Sequence, residues 1–381
     1  MKKVVIIGAA YPLRGGLATY NERLAKAFLD EGDDVSIYTF SLQYPGFLFP
    51  GKTQYSEGPP PENLNINACI NSINPLNWIK AGRQLKKQKP ELVIIKFWLP
   101  FMAPCFGTIA RIIKSNHHTK VISIIDNIIP HEKRPGDRFL ADYFVKSTDA
   151  FITMSRSVLK DMETFDSHKP KLYCPHPLYD NFGAIISKSE AKRHLKLDEK
   201  FSYLLFFGFI RNYKGLDWLI EAFADERFRR LPVKLIIAGE YYTDSKPYLG
   251  LIHKHKLEEH IIHKNDFIPD NEVGNYFCAA DIVVQPYKDA TQSGVTQIAY
   301  HFNKPMLVTN VGGLAEMIPH GKVGYVVEPD VKAIADALID FYEREREKEF
   351  IPGVIEEKKK YSWENMINSI NELYGIVTEK G

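Results

Sequence analysis

Three stretches of this sequence bring backbone amides, cations and hydroxyl groups together in spacings that suit phosphate. The first, Gly8-Ala9-Ala10-Tyr11-Pro12-Leu13-Arg14-Gly15-Gly16, joins an apolar run to an amphipathic segment. Adjacent glycines at a helix start expose N–H groups and the positive end of the helix dipole, both attractive to phosphate oxygens. The plainer alternative is that Gly15 and Gly16 only make a tight turn. The Gly-x-Gly-x-x-Gly spacing of dinucleotide loops is missing, which argues against a nicotinamide oxidoreductase. The second stretch, Phe207-Gly208-Phe209-Ile210-Arg211-Asn212-Tyr213-Lys214-Gly215, closes another apolar run with two cations three positions apart. A planar guanidinium and a compact ammonium together suit a diphosphate, against the ordinary reading of two solvated loop charges. The third runs from Tyr287 to Gln297 and sets Thr291, Ser293, Gly294, Val295 and Thr296 before a helix. Ser293 either belongs to an anion-binding helix start or simply caps that helix. Val311-Gly312-Gly313-Leu314-Ala315-Glu316 is a further glycine-rich turn.

The elements that must carry these loops alternate. Val4 to Ile7, Asp34 to Phe40, Glu91 to Lys96, Lys120 to Ile125, Phe151 to Thr153 and Leu172 to Cys174 read as strands, separated by amphipathic segments such as Ala18 to Asp30. Near-continuous apolar strands alternating with helices imply a parallel sheet covered on both faces. Pro175, Pro177 and the stretch 181–189 look like a linker, after which the pattern restarts at Ser202 to Phe207 and closes at Gly324 to Val327. The chain is therefore expected to hold two doubly wound α/β domains, 1–180 and 181–360, facing one another across a cleft. A helix over 361–381, with Ile367, Ile370 and Leu373 on one face, is expected to cross back onto the first. In such sheets ligands bind at the carboxyl ends of the strands, where all three phosphate-suited loops fall.

Composition narrows the partners. With 381 residues, 45% hydrophobic and 25% charged, the chain has the make-up of a folded protein. A formal charge of +2 gives no bulk attraction to nucleic acid. Cys69, Cys105, Cys174 and Cys278 show no ligand spacing, so no zinc site is expected and a cytoplasmic location is. No run approaches the roughly 18–20 apolar residues a membrane-spanning helix needs.

Taken in order, these stretches resemble the retaining glycosyltransferases of family 4, which have the GT-B fold of two Rossmann-like domains. The matching pieces are Gly15-Gly16, Phe207 to Gly215, Ala280-Asp281-Ile282-Val283-Val284-Gln285-Pro286, Asn303-Lys304-Pro305-Met306-Leu307-Val308-Thr309, and Gly312 to Glu316 through Gly324-Tyr325-Val326-Val327. The resemblance implies a nucleotide-sugar donor, UDP- or GDP-linked, seated mainly on the second domain. Lys214 and Arg211 would hold its diphosphate, the Gly15-Gly16 amides would approach it, and Glu316 would lie near the sugar. It also implies retention of anomeric configuration, generally without a metal or other cofactor, in glycan or polysaccharide biosynthesis.

The departures from that pattern are specific. Phe209 stands where the family commonly has an arginine, leaving Arg211 to supply the charge. The usual pair of glutamates eight positions apart is missing around Ser293-Gly294-Val295, with Asp289, Thr291 and Gln297 as the available substitutes. Many relatives have a histidine just after the fourth strand of the first domain. Here Asp126 and His131 are the candidates to contact the transferred sugar or orient the acceptor. The acceptor is expected to be a glycan or a lipid-linked sugar. The 74–89 segment, with Trp78, Ile79, Arg83 and four lysines, suggests peripheral contact with the inner face of a membrane. A non-catalytic nucleotide-sugar binder and a sugar-nucleotide 2-epimerase are the competing functions.

Overall fold

The computed structural model describes residues 1–46, 53–56, 58–130, 134–290 and 293–379. It divides into two compact units, Met1–Pro177 with Ser362–Gly381, and Leu178–Tyr361.

The first unit is a seven-stranded parallel sheet of order β3-β2-β1-β4-β5-β6-β7. Its strands are β1 (Lys3–Ile7), β2 (Asp34–Leu42), β3 (Asn65–Asn71), β4 (Leu92–Phe97), β5 (Lys120–Ile125), β6 (Ala150–Thr153) and β7 (Lys171–Tyr173). Its connecting helices are α1 (Gly16–Asp30), α2 (Pro75–Gln88), α3 (Ala103–Lys114), α4 (Asp137–Val145) and α5 (Arg156–Glu163). β4 is buried at all six positions, as the run Leu-Val-Ile-Ile-Lys-Phe demands of a strand covered on both faces. The edge strand β3 escapes a reading by pattern because Asn65, Asn67 and Asn71 are poor strand formers and most of its residues are partly exposed.

The second unit repeats the plan with six parallel strands in the order β10-β9-β8-β11-β12-β13. They are β8 (Ser202–Phe207), β9 (Val233–Ala238), β10 (Ile261–Lys264), β11 (Ile282–Gln285), β12 (Met306–Thr309) and β13 (Gly324–Val327). The helices are α6 (Lys188–His194), α7 (Leu216–Phe223), α8 (Lys246–Lys254), α9 (Asp270–Ala279), α10 (Gly294–His301), α11 (Val331–Glu343) and α12 (Glu347–Glu357).

Each sheet reverses its strand order once, between β1 and β4 and between β8 and β11. At such a point the loops from two neighbouring strands leave in opposite directions and open a crevice. The last helix, α13 (Trp363–Glu379), returns to the first unit and packs against β5, β6, β7 and α1. Met366, Ile367, Ile370 and Leu373 are buried along one stripe of α13, at the spacing of a single helix face. Fully burying a side chain such as Ile370 or Leu373 contributes about 1.5–3 kcal/mol. Among the described residues no helix is long and apolar enough to cross a membrane.

Candidate functional site

The site of the second unit is built at the β8/β11 reversal. β8 ends on Phe207, and Gly208 follows at φ 95°, a conformation that side chains rarely adopt. The chain then makes a 3-10 turn over Asn212–Lys214 and enters α7 through Gly215 at φ 68°. A Cβ on Gly215 would lie 1.9 Å from the Pro286 carbonyl oxygen, so glycine is what lets the loop after β8 press against the loop after β11. The same crowding recurs at Gly239, where a Cβ would fall 2.0 Å from the Gly208 oxygen.

Lys214 folds back over this turn. Its Nζ is 3.3 Å from where a Gly208 Cβ would stand, and Val295 Cγ2, from the first turn of α10, is 3.6 Å from the same point. Ammonium, glycine backbone and helix start therefore converge. Burial pushes the Lys214 ammonium down to about 8, and the neighbouring Arg211 charge pushes the same way. No carboxylate among the described residues pairs with either cation.

The remaining residues expected at this site divide by placement. Ser293 precedes α10 without a side-chain capping bond; its hydroxyl meets the Tyr287 hydroxyl at 3.3 Å instead. Capping, the plainer alternative for Ser293, is thus absent. Gly294 is required because a Cβ there would strike the Tyr179 ring at 2.8 Å. Thr296 and Gln297 are wholly buried: Thr296 bonds Gln285 Oε1 at 3.1 Å, and Gln297 Nε2 meets Met317 Sδ at 3.3 Å. Both face the interior, so Gln297 does not take over a carboxylate's grip on a ligand at the surface. Asp289 and Glu316 are exposed, Glu316 in a 3-10 turn over Ala315–Met317. Thr291 lies outside the described residues, as does His131.

In the first unit Gly15, at φ 99°, precedes α1 and Gly16 begins it; no side chain of the N-cap residue closes the helix start. The crevice at β1/β4 holds an unexpected charge. Lys96, the one charged residue of β4, is 2% exposed and bonds Asp126 Oδ1 at 2.7 Å. Its ammonium also sits 3.5 Å above the centre of the Tyr20 ring. His176 packs edge-on against the same ring at 5.1 Å. Burial, aided by the Lys96 charge, pushes the His176 imidazole down to about 3, so it stays neutral. Asp126, expected to meet the sugar or the acceptor, is instead 8% exposed and matched to Lys96, where it ties β5 to β4. A lone lysine inside an apolar strand was the signal in the sequence for this pair, since a buried ammonium demands a partner.

Comparison with known proteins bears on this arrangement. The family descriptions "Glycosyltransferase Family 4" and "Glycosyl transferases group 1" match residues 14–174 and 202–344, one to each unit. The chain belongs to the family 4 glycosyltransferases. A D-inositol 3-phosphate glycosyltransferase of Corynebacterium urealyticum is 26% identical over 64% of this chain and 60% of its own length. A sucrose-phosphate synthase from Thermosynechococcus elongatus superposes with a TM-score of 0.79 at 14% identity, over 100% of both chains. Anabaena HepE, solved in complex with UDP, gives 0.72 at 15% identity over 98% of this chain and 99% of its own. These likenesses establish that the glycosyltransferase has the GT-B fold, with its β8/β11 loops at the reversal point of the second Rossmann-like sheet.

Proposed function

We propose that this glycosyltransferase takes a hexose from a UDP- or GDP-linked donor and transfers it, with retention of configuration, to a glycan or lipid-linked acceptor. The observation that carries the reading is the Arg211–Lys214 pair. Two like charges held close and partly out of water are unfavourable by themselves, so their surroundings are complementary to a multivalent anion. The first turn of α10 adds the positive end of a helix dipole beside Lys214. As a glycosidic bond to a diphosphate breaks, negative charge grows on the leaving oxygens. Cations already fixed there stabilise the transition state more than the ground state. Because side chains supply that charge, we infer that turnover needs no divalent metal and no cofactor beyond the donor. The UDP complex of the Anabaena neighbour supports the nucleotide, and family membership supports retention.

Turnover with a panel of UDP- and GDP-sugars, in chelator and with glycan and lipid-linked acceptors, tests this. Free nucleotide and an unchanged anomeric configuration in the product are expected. Binding without turnover would leave a nucleotide-sugar binder, and a new sugar nucleotide without free nucleotide would indicate an epimerase.

We propose in addition that α2 rests on anionic lipid. Ile73 and Leu76 are 48% and 77% exposed, and Lys80, Arg83 and Lys87 are exposed beside Leu76 at helical spacing. Trp78 is not part of that surface, since it packs on the core and its indole N–H donates to the Asn71 carbonyl at 2.7 Å. Flotation with phosphatidylglycerol vesicles should fall in the Lys80→Glu/Lys87→Glu protein; unchanged flotation removes the idea.

A further inference from the structure

Arg211 and Lys214, the cations in the loop after β8, are held by aromatic rings. Neither has a carboxylate partner among the described residues, yet each lies over an aromatic face. The Arg211 guanidinium carbon is 5.1 Å from the centre of the Tyr242 ring, and Lys214 Nζ is 5.5 Å from that of Tyr287. Both distances fall within the range where a ring quadrupole attracts a cation.

The two rings are themselves fixed. Tyr242 lies in the loop after β9, donates its backbone N–H to the Ile210 carbonyl at 2.9 Å, and packs against Phe209 with ring centres 4.3 Å apart and the planes tilted by 30°. Phe209 in turn lies 6.0 Å from Phe267. Tyr287 follows β11; its carbonyl accepts from the Thr309 hydroxyl and its own hydroxyl meets Ser293. The rings thus come from loops on either side of the one that bears the cations.

We propose that Tyr242 and Tyr287 are the positioning residues of this site: each holds one cation in place over its ring without neutralising it. A carboxylate would fix the cations more tightly, but it would cancel their charge and compete with the incoming phosphate. A ring face attracts the cation weakly and leaves its N–H donors available. Phe209, standing where relatives commonly have arginine, serves the same end here by backing Tyr242. The proposal rests on the reading of Arg211 and Lys214 as the diphosphate grip.

The test is a double-mutant cycle measured by calorimetric binding of UDP and of inorganic pyrophosphate, with thermal melts to confirm folding. Tyr242→Leu should weaken both probes about three- to tenfold, the range of a partly exposed cation–π contact, while Tyr242→Phe keeps nearly full affinity. In the Arg211→Gln background, Tyr242→Leu should cause no further loss, because the ring acts only through the guanidinium. A simple packing role would give additive losses, and additivity, or unaltered affinity in Tyr242→Leu, overturns the proposal. If the unaltered protein binds pyrophosphate but not UDP, the nucleotide reading fails while the cycle on pyrophosphate still decides the role of Tyr242. Binding of neither probe overturns both.

Discussion

Replacing Lys214 by methionine keeps most of the side-chain volume and removes the charge. In the free protein burial and Arg211 hold this ammonium at about 8, so at pH 7 it is still mostly protonated. The folded state carries that charge at a disadvantage relative to the unfolded chain, where the lysine is ordinary. Stability should accordingly be unchanged or slightly raised in Lys214→Met, the sign expected when a strained cation is removed from a binding site. Binding should move the other way. A charge-assisted hydrogen bond contributes about 1.5–3 kcal/mol, which corresponds to roughly ten- to hundredfold weaker UDP affinity. The same factor should appear in kcat/KM for donor turnover, because the contact strengthens as the leaving diphosphate gains charge. Calorimetry with UDP and a denaturant melt on the same preparations give both numbers. A variant that binds UDP like the unaltered protein, or that loses stability and affinity together, would refute the reasoning.

Three further outcomes are expected. Nucleotide affinity should hold steady below about pH 7 and fall as pH rises through about 8, where Lys214 loses its proton. Over the window from about 8 to the ordinary lysine range the free fold should gain stability, and Lys214→Arg should flatten the affinity profile by keeping its charge. Gly215→Ala should lower the melting temperature and weaken UDP, because the left-handed φ costs about 1 kcal/mol and the Cβ collides with the Pro286 carbonyl. Lys96→Met should cost about 3–5 kcal/mol by breaking the buried ion pair with Asp126, and Lys96→Met/Asp126→Leu should recover most of it; equal melts for the two variants would contradict the pairing.

Much of the frame could be read along the chain because it rests on local signals. Short β-branched apolar runs such as Leu92–Phe97 and Val233–Ala238 suit strands of a sheet covered on both faces. The buried stripe of α13 is written in the spacing of Met366, Ile367, Ile370 and Leu373. β3 stayed hidden because its asparagines carry no strand preference and its pairing with β2 comes from the sheet edge. Arg211 and Lys214 were legible as a pair because both sit in one short loop between a strand and a helix.

Sequence alone therefore determined the two parallel-sheet units, most of their strands, and which loops bear glycine and cations. What it could not decide was the direction each side chain takes once those loops meet. Gln297 and Asp126 looked available by position, yet one turns inward to Met317 and the other is claimed by Lys96. The rings under Arg211 and Lys214 come from residues 31 and 73 positions farther along the chain, brought alongside only by strand order. Contacts between distant loops depend on which strands become neighbours, and that follows from the packing of the whole sheet.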